Sequence, residues 1–238
     1  MSGDLDDYKY RGLSGVSWIN YARFFFDALK SDQRYSGLIA DAKIPGIGGI
    51  RKAGASSAVG AALAATVGIG WWKGTGGAIL LKDCPIQLIT IGEHDRWARI
   101  RCFFPVPEAK YGNAAISGKL KGWFSNRRAV DLELEGHAVP GFEDIKKDQK
   151  LLDDILSLFQ SRLCPAFEEL AKPKILIKFE RKEGNQYGIV EYGVQRYSRA
   201  VEKCEKMFGV SYLQVTRGLF DVANDLASYI KKACTHAR

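Results

Sequence analysis

The run from Ala53 to Trp72, AGASSAVGAALAATVGIGWW, contains no charged residue and lies between Arg51-Lys52 and Lys73. About 20 apolar residues are what crosses the hydrocarbon core of a bilayer, and paired tryptophans beside a lysine suit a membrane interface. The run is made of Gly, Ala and Ser rather than Leu and Ile, so its hydrophobicity is borderline for spanning. In a helix Ser56, Gly60, Ala64 and Gly68 recur every four residues and form a ridge of small side chains that lets another helix approach closely. These four, with Trp71 and Trp72, are the candidate membrane or partner contacts. Against a free-standing helix, the glycines at 54, 60, 68 and 70 each cost about 1 kcal/mol of helix propensity relative to alanine. The alternative is a buried soluble helix or a Gly-rich loop packed on a sheet.

Glycine clusters bracket the run. Ile44-Pro45-Gly46-Ile47-Gly48-Gly49 precedes it and Lys73-Gly74-Thr75-Gly76-Gly77 follows it, and both read as hinges. The chain then divides into an N-terminal helical lead (1–45), a Gly/Ala-rich hydrophobic segment (46–77) and an α+β globular domain (78–238). The stretch Ile44–Ala53 resembles the hairpin of helix-hairpin-helix DNA-binding motifs, in which a Gly-apolar-Gly turn offers backbone N–H groups to a phosphate. Here the alanine that starts the second helix of that motif is displaced by one position, and a second copy is absent. The resemblance implies phosphate contact near Arg51 and Lys52. Neither GxxxxGK[ST] nor GxGxxG occurs, so the better-defined phosphate loops are missing.

Beyond the hinges the pattern changes to period two. Strands are expected near 78–82, 86–91, 97–104, 115–124 and 129–135. Ala98, Ile100, Cys102 and Phe104 alternate with Trp97, Arg99, Arg101 and Phe103, and Val130, Leu132 and Leu134 alternate with Asp131, Glu133 and Glu135. Such alternation predicts antiparallel pairing with one solvated face. Gly92-Glu93-His94-Asp95 and Ser125-Asn126-Arg127-Arg128 are the expected turns. A hairpin is expected from Ile175 to Val194. Helices are expected at 16–30, 149–171 with a kink at Pro165, 198–208 and 212–233, and residues 31–52 read as loop. In the 149–171 helix the apolar stripe is Leu152, Ile155, Leu156, Phe159, Leu163, Phe167 and Leu170. The fold class is therefore α+β: an antiparallel sheet of about five to seven strands packed against C-terminal helices, with the hinge-flanked segment near the N-terminus.

The charge is +8 over 238 residues, with 46% hydrophobic residues, which allows nucleic acid, anionic lipid or acidic proteins as partners. The basic excess is spread along the chain and forms no tail. Trp97, Arg99 and Arg101, with Lys119, Lys121 and Trp123 placed in a neighbouring strand, combine aromatic and basic side chains as single-strand nucleic-acid binders do. The competing reading is a face neutralised by Asp131, Glu133 and Glu135.

Chemistry is sparse. Five cysteines without a CxxC pair give no zinc or dithiol motif and suit reduced thiols in an intracellular protein. Cys84 and His94 flank opposite ends of a strand about six residues long, which puts them ~20 Å apart. No catalytic residue, metal ligand or cofactor is assigned. The leading expectation is a non-enzymatic, intracellular, membrane-associated or partner-binding protein acting through 53–72, with an anionic membrane surface or a protein, including a second copy, as partner. The alternatives are a soluble nucleic-acid binder using Arg51, Lys52, Trp97, Arg99 and Arg101, and an enzyme or small-molecule carrier with a pocket between sheet and helices.

Overall fold

The computed structural model describes residues 25–43, 77–94, 97–122, 128–160, 173–182, 184–194 and 212–236. The expected helix at 198–208, the Pro165 kink and the whole 53–72 run lie outside the described residues. Within them, eight antiparallel strands form one sheet: β1 (Ile39–Lys43), β2 (Gly77–Leu81), β3 (Leu88–His94), β4 (Trp97–Val106), β5 (Ala114–Lys121), β6 (Arg128–Gly136), β7 (Lys174–Lys182) and β8 (Asn185–Val194). The spatial order is β1-β2-β3-β4-β8-β7-β5-β6. The mixed α+β class and the antiparallel sheet are as the pattern predicts; the count of eight exceeds five to seven.

The extra strand comes from the stretch expected to be loop. Asp32 accepts from the Arg34 amide and starts a short helix, α2 (Gln33–Ser36), after which Ile39–Lys43 pairs with β2. That strand is short and carries a register shift between Ile39 and Asp41, so its alternation is broken. Residues 25–30 are helical (α1), and Phe25 and Leu29 belong to the main core. The β3–β4 turn also moves: Glu93 and His94 are paired with Ala98 and Trp97, which leaves only positions 95–96 to turn.

The described helices lie on one face of the sheet, called the inner face below. The long C-terminal helix α5 (Tyr212–His236) packs on β4 and β8. It buries Thr216, Leu219, Phe220, Ala223, Leu226, Ala227 and Ile230 against Ile100, Cys102, Phe104, Val190 and Tyr192. The Tyr192 hydroxyl donates to the Leu219 carbonyl at 2.8 Å, so the one polar atom of that aromatic is satisfied inside the core. Tyr35 donates to Asp221, its ring meets Phe220 edge-on at 4.9 Å, and Arg217 bonds Ser31 Oγ at 3.1 Å. These contacts tie the N-terminal helical residues to α5.

The helix α4 (Gln149–Gln160) covers β6 and leans on α5, with the short α3 (Phe142–Ile145) before it. Its buried residues are Leu151, Ile155, Leu158 and Phe159, while Leu152 and Leu156 are only half-buried. The buried stripe is thus rotated from the expected one, because α4 meets both the sheet and α5. Asp148 starts the helix by accepting from the Leu151 amide at 3.0 Å and also accepts from the Tyr229 hydroxyl. Gly141, just before α3, takes φ +71 with Tyr229 and Ala233 against it, where a side chain would meet the α5 backbone.

Two predictions follow from this packing. A Cβ at Gly188 would sit 2.2 Å from the buried Phe104 ring. Gly188→Ala should therefore destabilise the domain by about 1–3 kcal/mol, read as a lower urea midpoint at unchanged slope. The Tyr229 hydrogen bond, and next the Leu151 amide, hold the Asp148 carboxyl below its ordinary 3.8. That stabilisation is present above the ordinary value and lost as pH falls below it. Tyr229→Phe should lower stability at neutral pH and flatten the acid-induced loss below about pH 4, measured by urea unfolding across pH.

Candidate functional site

The sheet's outer face is divided. On β5 and β6 it is solvated: Lys119 pairs with Asp131 at 3.1 Å across the register, and Glu135 is exposed. On β2, β3, β4 and β8 it is dry. One cross-strand row reads Leu80, Leu88, Phe103, Ile189, Lys178, with Tyr187 one step further along β8. Leu88, Phe103, Tyr187 and Ile189 are as buried as the main core and form a second cluster, with Ala78 and Leu80 packed against it. The expectation of one wet face thus holds on β5 and β6.

The adjacent row reads Ala78, Thr90, Arg101, Glu191, Leu176. The Glu191 side chain is 3% exposed and accepts from Arg101 Nε at 2.8 Å and from Lys178 Nζ at 3.1 Å. Two cations on one buried carboxylate supply the compensation that burying a charge demands. The Thr90 hydroxyl, also buried, has no hydrogen-bond partner among the described residues.

Of the candidate nucleic-acid residues, Arg101 is thus spent on Glu191. Arg99 stands in register with Gly92 and Gly193, and Trp97 with His94, on the same β4 face. Lys119 and Lys121 are not neighbours of β4: β8 and β7 lie between them. The sheet order therefore does not set Arg99 and Arg101 beside Lys119 and Lys121. Arg51, Lys52, Ser56, Gly60, Ala64, Gly68, Trp71, Trp72 and Trp123 lie outside the described residues.

What the structure does define is where the 53–72 run is attached. Lys43 ends β1, Gly77 begins β2, and Lys43 is in register with Ala78. The 33 residues between them leave and return at one point of a regular antiparallel pair. The other hairpins are tight by comparison, with six residues between β2 and β3, two between β3 and β4, six between β5 and β6 and two between β7 and β8. A two-residue turn joins such strands readily, so the sheet itself does not require the 33-residue excursion.

Two of the described thiols, Cys84 and Cys102, are placed against nucleophilic use. Desolvation pushes the Cys84 thiol up to about 11, and Cys102, wholly enclosed under the helices, is pushed up further by the same cause. Cys84 Sγ donates to the Ile86 carbonyl at 2.9 Å. Among the described residues no group of three or more His, Cys, Asp and Glu side chains is arranged to hold a metal, and no helix is long and apolar enough to cross a membrane. No protein-family model, curated protein or solved structure matches the chain.

Removing the unpartnered Thr90 hydroxyl while keeping its shape should help. Thr90→Val is expected to stabilise by about 1 kcal/mol, measured as a higher urea midpoint. A loss of stability instead would mean that the hydroxyl has a partner in solution.

Proposed function

We propose that this protein binds membrane surfaces, with the sheet and its helices as a rigid mount and residues 44–76 as the contacting element. The observation that carries the reading is the Lys43–Ala78 register: a 33-residue connection inserted where two residues would join the strands. Connections of that length inside a compact domain are uncommon and usually functional. Its centre is uncharged, with Trp71-Trp72 at one end and cations at both. On anionic lipid Arg51, Lys52 and Lys73 each add about 1 kcal/mol when near the surface, and the chain's net charge of +8 works in the same direction. The small-residue ridge at Ser56, Gly60, Ala64 and Gly68 would let the element pack closely against itself or against a membrane-borne helix.

The test is vesicle flotation of the full chain and of a chain in which residues 46–74 are replaced by a two-residue Asn-Gly turn. The full chain should float with anionic vesicles, float less with neutral ones, and release as salt rises. The shortened chain should stay at the bottom. Flotation of both would place lipid contact elsewhere on the molecule. Flotation of neither, with retention of the full chain on a protein partner, would make 44–76 a protein-binding element instead.

A further inference from the structure

We propose that in water the outer apolar patch of Leu80, Leu88, Phe103, Tyr187 and Ile189 is the docking surface for residues 53–72 of the same chain. The proposal rests on the membrane reading above and adds its regulation: the uncharged run has one seat on the sheet and one on the bilayer. Three observations carry it.

The first is burial. Leu88 and Ile189 are fully buried and Phe103 and Tyr187 nearly so, although the described helices pack on the inner face. The second is position. β2, which supplies Ala78 and Leu80 to the patch, is the strand at which the 33-residue connection returns. From β2 to β8 is three strand spacings, roughly 15 Å, well within what half of that connection reaches at about 3.3 Å per residue. The third is chemistry. The longer stretches outside the described residues, 1–24, 161–172 and 195–211, each carry at least four charged residues, whereas 53–72 carries none. Its small side chains permit close approach to a sheet from which the rings of Phe103 and Tyr187 rise.

The two seats compete for the same apolar run. Docking on the sheet lowers the affinity for vesicles. Insertion into lipid uncovers the patch where it faces the same apolar phase.

Hydroxyl-radical footprinting, read at Phe103 and Tyr187 by mass spectrometry, tests the proposal. In the full chain alone both residues should be protected. Protection should fall several-fold in the turn-replaced chain and, should that chain fail to fold, in the full-length Val59→Glu/Leu63→Glu variant, which puts charge into the run. Unchanged protection in the folded variants would overturn the proposal and assign the cover to another stretch, such as 195–211. Anionic vesicles added to the full chain should raise oxidation of both residues or move their protection to the lipid. The second case is distinguished by spin-labelled lipid quenching Trp71 and Trp72 fluorescence in a variant whose other tryptophans are Phe. A chain that floats with its patch still covered by 53–72 keeps the membrane reading and overturns the exchange. A chain that uncovers the patch on turn replacement yet never floats keeps the docking surface and overturns the membrane reading.

Discussion

The pairing of β4 with β8 is the joint on which the rest of the structure depends. It runs over nine residue pairs, from Ala98 with Val194 to Val106 with Gln186, and joins the meander β1–β4 to the β7–β8 hairpin across some 90 positions of chain. Through β7 it also recruits β5 and β6. The inner side of this pair supplies the row of Ile100, Cys102, Phe104, Val190 and Tyr192 on which α5 lies. The same pair places Arg101 beside Glu191 on the other side. A shift by one residue would send either the buried carboxylate of β8 into the helix layer or Phe104 of β4 to the opposite face, because side chains alternate with period two. The ion row thus disfavours the neighbouring register whatever its net worth to stability.

Burial on both faces of the central strands has an energetic consequence. Enclosing a Leu, Ile or Phe side chain is worth about 1.5–3 kcal/mol, so Leu88, Phe103 and Ile189 on the outer face together represent about 4.5–9 kcal/mol, comparable with the net stability of a typical domain. An uncovered patch of that size would invite self-association in water. The cover is therefore part of what keeps the sheet a discrete folded unit. Ionic pairs on the β5–β6 side, such as Lys119 with Asp131, are exposed and contribute little.

Much of the fold is legible in the sequence where alternation is strict. β4 and β6 announce themselves by period two, and the cross-strand match of Lys119 with Asp131 follows from reading their hairpin. What local pattern does not encode is sheet order: β5 follows β4 in the chain, yet the later β7–β8 hairpin inserts between them. β1 escapes because five residues with a register shift leave too short a period. The dry half of the outer face did leave a signal. Leu88-Ile89, Cys102-Phe103 and Ile189-Val190 are adjacent apolar pairs at facing positions of three neighbouring strands. In a half-solvated strand one member of each pair should be polar; two apolar neighbours mean cover on both sides. Single-sided alternation in β4 holds only towards its start, where Arg99 and Arg101 interrupt it.

The candidate site was visible as composition but not as geometry. Run length and missing charge point to 53–72, and only the strand register shows that the segment hangs from a single point. Closing a longer loop is cheap, because each doubling of length adds about 0.6 kcal/mol. A 33-residue connection therefore costs the sheet about 1.5 kcal/mol more than a six-residue one, and the demands of the β1–β2 pair set neither its length nor its content. Twenty successive positions without charge in a chain of which 26% is charged are what contact with an apolar surface, as proposed above, would select. A solvated loop would tolerate Lys or Glu at any of these positions. A surface without water, whether the Leu88–Phe103–Ile189 face or the interior of a bilayer, would exclude them at all of them.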